Sequence, residues 1–151
     1  MNTKTLRINP IRGLVAVLAL AGAICTGSAW AAGIEVTFKL DPRLTRSLYM
    51  GDRWVSPQTF TQVQENGLPL VVGGRTYDVD ARGEAVITSS AWVAADSSML
   101  TITPGLGDDV NITVNHPGNS IMTVSSQGGS KTLGVSARYI ADNTLVVDIS
   151  Q

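Results

Sequence analysis

Cysteine is almost missing from this chain: there is one, Cys25, in 151 residues. A disulfide framework is therefore excluded. Histidine also occurs once, at position 116. With so few nitrogen and sulfur ligands most zinc sites are excluded, and few general bases remain. Charge is sparse, at 15% of residues, and nearly balanced, with a formal net of −1. That balance argues against an electrostatic nucleic-acid binder. Aromatic residues make up only 5%. What the chain does have is apolar content, 44%, too much for a disordered tail and enough for the core of one domain.

The first thirty-one residues read as an address. Lys4, Arg7 and Arg12 carry positive charge with no acid among them, an apolar stretch runs from Gly13 to Gly27, and Ala29-Trp30-Ala31 offers small residues flanking a cleavage point. This is the three-part layout of a secretory signal peptide, with the cut expected after Ala31. The apolar stretch is short for a membrane-spanning helix, which needs about twenty residues. A lipid anchor at Cys25 would want a small residue where Ile24 stands. Removal of residues 1–31 takes the only cysteine and leaves eight basic against twelve acidic residues, a net charge of −4. The expected product is an exported domain of residues 32–151, periplasmic or extracellular, with no membrane span, stabilised by its core alone.

Beyond Ala31 the pattern is of short strands. Val36, Phe38 and Leu40 alternate with Glu35, Thr37 and Lys39. The same period of two places Leu100 and Ile102 on one face, then Val110, Ile112 and Val114, then Leu133, Val135 and Ala137, then Leu145, Val147 and Ile149. Alternation with one wet face marks antiparallel sheets. Leu68–Val72 and Ile121–Ser125, which carries Val124, are further strand candidates; Tyr77–Val79 and Ala85–Thr88 are weaker ones. Turn chemistry separates the runs at Asn66-Gly67, Gly73-Gly74, Arg82-Gly83, Pro104-Gly105, Pro117-Gly118, Gly128-Gly129 and Asp142-Asn143. This rhythm predicts an all-β sandwich or small barrel. Asp41–Met50 reads either as one helical turn, with Pro42 at a first helical position, or as a bent edge segment.

From Ala91 to Ile102 a Trp ends one strand, an Asp/Ser corner follows, and a strand alternating apolar and Thr residues comes next. Val110–Asn115, Pro117-Gly118-Asn119-Ser120-Ile121-Met122-Thr123-Val124 and Gly129–Ala137 complete the order. This succession resembles the bacterial immunoglobulin-like group 2 domain, a module of secreted and surface proteins, over about residues 84–149. The resemblance implies an immunoglobulin-like antiparallel β-sandwich of about seven to nine strands, with Trp92 packed between the sheets, acting as a spacer, adhesin segment or binding accessory. Pattern and resemblance together give a core of Trp92, Leu100, Ile102, Val110, Ile112, Val114, Val124, Leu133, Val135 and Val147.

Candidate chemistry is thin. His116 sits in the turn Asn115-His116-Pro117-Gly118, and one imidazole makes a nucleophilic set only if an acid and a serine converge on it. Asp78, Asp80, Asp96, Asp108 and Asp109 match no calcium-loop spacing, and the Asp108-Asp109 pair reads as a solvated turn. Paired-carboxylate hydrolysis needs a cleft that so small a sandwich hardly offers. Neither glycine pair is followed by a helix and a Lys-Ser/Thr, so neither is a phosphate loop. No catalytic, cofactor or metal site is expected.

The sharpest surface candidate is the region in which Tyr49, Trp54 and Phe60 interleave with Arg43, Arg46 and Arg53. Arginine and aromatic side chains are enriched at binding hot spots, and an aromatic face also stacks on a sugar ring. The competing reading puts Trp54 or Phe60 into the core. The expectation is a non-catalytic cell-surface binding or structural module, its partner a protein or a surface polysaccharide. Two other readings stand beside it: an accessory subunit of an envelope protein assembly, making contact through residues 41–60, and a chaperone-like or prolyl-isomerase-associated accessory domain.

Overall fold

The computed structural model describes residues 33–41 and 53–151. The expected signal peptide, the 42–50 part of the segment read as a turn or bent edge, and Arg43, Arg46 and Tyr49 lie outside the described residues. Those described form twelve strands: β1 (Gly33–Lys39), β2 (Trp54–Val55), β3 (Thr59–Gln64), β4 (Leu70–Val79), β5 (Ala85–Ile87), β6 (Ser90–Ala94), β7 (Leu100–Thr103), β8 (Leu106–Gly107), β9 (Asp109–Val114), β10 (Gly118–Ser126), β11 (Gly129–Ala141) and β12 (Thr144–Ser150). Three of these, β2, β5 and β8, are only two or three residues long. These three account for the excess over the expected seven to nine; nine longer strands remain.

The strands make two antiparallel sheets stacked as a sandwich. Sheet I runs β2-β1-β4-β9-β7, with β5 joined to the far end of β4; sheet II runs β3-β12-β11-β10-β6-β8. Alternation supplies the reason: each strand turns one apolar row inward, and the two rows meet in a single core. Sheet I contributes Val36, Phe38, Leu70, Val72, Leu100, Val110, Ile112 and Val114; sheet II contributes Phe60, Trp92, Met122, Val124, Leu133, Val135, Ala137, Leu145, Val147 and Ile149. Ile102 and Leu40 are partly buried against this cluster.

One stretch departs from the sequence reading. Leu68–Val72 and Tyr77–Val79 are not two strands about a Gly73-Gly74 turn. They are parts of a single ten-residue strand, β4, which runs straight through both glycines. A β-carbon on Gly74 would lie 2.9 Å from Trp92 Cη2 and 3.2 Å from Val110 Cγ2. On the outer face, a β-carbon on Gly73 would lie 3.0 Å from Lys39 Cβ and 3.7 Å from Trp54 Cη2. The glycines are there for space, the second use of glycine within a strand.

A buried polar chain crosses between the sheets. Trp92 Nε1 donates to Ser90 Oγ at 2.9 Å, and Ser90 Oγ donates to Thr76 Oγ1 at 2.7 Å. Thr76 is fully buried and Ser90 1% exposed. This satisfies an indole N–H that would otherwise be sealed in hydrocarbon. At one end of the sandwich Asp78 of β4 accepts from Ser126 Oγ and, at 3.2 Å, from the Gly128 amide, tying sheet I to the β10–β11 hairpin.

Candidate binding surface

The outer face of sheet I is set by register. Lys39 pairs with Trp54, Thr37 with Arg75, Arg75 with Asp109 and Gly73 with Asn111, so these side chains share one face. Trp54 stands on the two-residue strand β2 and reaches over Gly73, its Cη2 3.7 Å from where a β-carbon there would stand. The Arg75 guanidinium lies 4.1 Å from the centre of the indole ring. Arg75 also grips Asp109 with both arms, Nε to Oδ1 at 2.5 Å and Nη2 to Oδ2 at 2.8 Å. A guanidinium can do both because its plane offers forked donors at the edge and a flat face to the ring.

This pairing fixes the charges. The hydrogen bond to Asp109 raises Arg75 above its ordinary range, desolvation works against the rise, and Tyr77 adds a smaller contribution in the same direction as Asp109. Asp109 is held below the usual carboxylate range, first by the Arg75 hydrogen bond and further by the field of Arg75 and Lys39, with desolvation opposing. The result is an aromatic, cationic and anionic stack drawn from three strands, β2, β4 and β9, with Trp54 half-buried at its margin.

Beside the stack lies a groove of about 350 Å³. Val71 and Gly73 form its floor, Gln62 and Gln64 one wall, Asn111 the other, and Lys39 and Asp41 its mouth. It exists because the pairing of β1 with β4 reaches only the Phe38–Gly74 position, so the strand's margin from Leu70 to Gly73 is flanked there by side chains of β3. Those side chains also explain why β3 has no apolar alternation to read: its inward row after Phe60 is Gln62 and Gln64, and its only other aliphatic, Val63, is 43% exposed.

The candidates chosen from sequence fall in different places. Phe60 is corrected from the surface set: it is 4% exposed, in the core, with its ring 4.9 Å from that of Phe38. Arg53 is exposed and its carbonyl accepts from the Leu40 amide at 2.9 Å. Trp54 alone of the described aromatics in that set reaches the outer face. Gly73 and Asp109 are read from sequence only as turn residues, a reading corrected for Asp109, which opens β9 and pairs with Arg75; Arg75, Asn111 and the two glutamines were not singled out. Only the period-two spacing of Phe60, Gln62 and Gln64 signalled any of them in sequence.

An acid and a serine do converge on His116. Asp96 Oδ1 accepts from Ser98 Oγ at 2.5 Å and from the amides of Ser98 and Met99, and Ser98 Oγ lies 3.2 Å from His116 Nε2. These bonds, the Ser98 hydroxyl first, hold Asp96 below the ordinary carboxylate range. The order is wrong for nucleophilic catalysis, which needs the acid on the imidazole's second nitrogen. His116 Nδ1 instead faces the Pro117 carbonyl at 2.9 Å. The arrangement serves as a capped corner leading into β7. The other acids are dispersed: Asp80 Oδ1 accepts the amides of Arg82 and Glu84, and Asp78 ties the hairpin described above. Among the described residues there is no cluster of three metal-ligating side chains, and no helix long and apolar enough to cross a membrane.

In comparison with known proteins, no family model, no curated protein and no solved structure matches the chain.

Proposed function

We propose that this chain is an exported, non-catalytic immunoglobulin-like module of the bacterial group 2 type that binds at the cell surface through the outer face of sheet I. The observation that carries this reading is the placement of Trp54. It spends a large aromatic surface on the outside of the sandwich, held in a fixed pose by Arg75 and Asp109. Rigid aromatic and arginine side chains on a flat sheet are the residue types that dominate binding energetics. The titratable groups described above are engaged in structural pairs and turns, which favours recognition over reaction. The test is a pull-down of fractionated cell-envelope material on the immobilised protein. Retention of a polysaccharide or protein fraction that falls at least tenfold with Trp54→Ala supports the reading; retention unaffected by that change overturns it.

One observation favours a second reading, the accessory subunit of an envelope assembly. Leu106, Val93 and Ile121 are 66%, 63% and 50% exposed. The registers Ala91–Leu106 and Thr123–Val93 place them on the outer face of three neighbouring strands of sheet II. A contiguous apolar stripe of this kind fits a protein partner. Co-purification of one stoichiometric protein, lost on Val93→Glu, distinguishes this reading from the first.

A further inference from the structure

The groove along β4 has a hydrogen-bonding pattern that its neighbours do not use up. Gln64 Nε2 donates to the carbonyls of Gly67 and Pro69, the second at 3.1 Å, and Gln62 Nε2 lies 3.5 Å from the Val71 carbonyl. Both amide nitrogens are thus turned toward the backbone, which points both amide oxygens the other way. The Gln62 side chain is more than nine-tenths buried at 7% exposure and makes no other hydrogen bond among the described residues. Among the described residues no buried side-chain polar atom lacks a partner, and Gln62 lines the groove, which is the side on which its Oε1 is accessible in this reading. Two residues apart on β3, the two glutamines spring from the same side of the strand at positions about 6.6 Å apart. Asn111 faces them with a further amide, and the Trp54 ring lies beside the glycine floor.

We propose that this groove binds a neutral polyhydroxylated chain, a polysaccharide of uncharged sugar units; the proposal rests on the surface-binding reading above and names its ligand. Amide oxygens accept from hydroxyls, and an amide such as Asn111 both donates and accepts, which matches the dual character of a hydroxyl group. The apolar C–H face of a sugar ring packs on an indole. Lys39 and Asp41 at the mouth bring one charge of each sign, so the groove does not select an anionic polymer. An added peptide strand is disfavoured, because the carbonyls it would pair with at Gly67, Pro69 and Val71 already face glutamine amides. At about 350 Å³ the groove is at the small end of ligand sites, and it grips a short stretch of a longer chain.

The experiment is affinity electrophoresis of the protein in native gels cast with dextran, laminarin or galactomannan, with polygalacturonate as the charged comparator. At least one neutral polymer is expected to retard the wild type. Asn111→Trp, which fills the groove from an exposed position, and Gln64→Leu should each weaken retardation at least tenfold. Thr132→Ala, on the outer face of sheet II, should leave it unchanged. Circular dichroism on each variant separates loss of binding from loss of fold, and Asn111→Trp carries the test if Gln64→Leu unfolds. Retardation by a neutral polymer that Asn111→Trp leaves intact overturns the groove but not surface binding. Retardation by none of the neutral polymers, or by polygalacturonate alone, overturns the groove too; surface binding then stands or falls on the Trp54→Ala pull-down.

Discussion

Gly74 and Trp92 come from opposite sheets, and the indole of one fills the space in which a side chain on the other would project. A β-carbon at 74 would stand 2.9 Å from the ring, closer than van der Waals contact allows. Trp92 is 3% exposed.

Gly74→Ala should therefore destabilise the domain by about 1–3 kcal/mol, the usual cost of overpacking a filled core. Trp92→Phe shortens the ring and should itself cost stability. In the double variant the two losses should be less than additive, because the clash is gone. Urea denaturation of the four proteins measures the coupling; strict additivity would show that 74 and 92 do not compete for space.

Ser90→Ala should cost about 1–3 kcal/mol, although it removes a single oxygen. It strands the Trp92 N–H and deprives the Thr76 hydroxyl of its donor, both in the interior, and unsatisfied buried groups are the expensive kind. The urea midpoint should fall with an unchanged slope. Ser90→Thr, which restores the hydroxyl, should recover part of the loss.

Acid should weaken the fold through two surface carboxylates. Asp109 is lowered chiefly by its Arg75 hydrogen bond, Asp148 by Thr61 and then Arg138. A group whose folded pKa is depressed adds stability above its unfolded value, and that stability is lost as pH falls through the folded value. The contribution is thus present at neutral pH and fades below about pH 4. The side chain of Asp109 is 54% exposed and that of Arg138 55%, so screening keeps each pair to about 0–1 kcal/mol. Asp109→Asn should flatten the acid limb of a plot of melting temperature against pH. An acid limb as steep as that of the wild type would show that the Arg75 pair contributes nothing.

Trp54→Ala should leave global stability within about 1 kcal/mol, since the ring sits on the surface of a two-residue edge strand. Locally it should matter more, because the ring is one of the contacts that hold the two-residue strand β2 over the sheet. The Leu40 amide, which donates to the Arg53 carbonyl at 2.9 Å, should exchange its hydrogen faster. Hydrogen-exchange mass spectrometry over residues 33–41 reads this directly, and unchanged protection there would show that Trp54 does not anchor β2.

The parts of the fold legible in the sequence were those where one apolar row faces the core and one polar row faces water. β1, β7, β9, β10, β11 and β12 meet that condition. β3 does not: its inward positions at 62 and 64 are glutamines, because they face the open margin of β4 and not the hydrocarbon interior. Gly73-Gly74 looked like a turn because a glycine pair signals backbone freedom as readily as it signals vacant space. What packs against the pair distinguishes the two: Trp92 against Gly74 and Lys39 against Gly73. The Arg75–Asp109 pair joins residues 34 apart; strand register brings them together, and no local spacing announces it. Of the candidate surface, then, sequence singled out Trp54 but not the residues that hold it in place.

The glycine pair in β4 has an optical consequence. The chain's three tryptophans are Trp30, Trp54 and Trp92, and a cut after Ala31 would leave only the last two. Those two lean on adjacent residues of the same strand from its opposite sides. All the indole emission of the processed protein would then originate within one short stretch of backbone, the half-buried ring at longer wavelength and the enclosed one at shorter. The spectrum would report on the two faces of β4 separately.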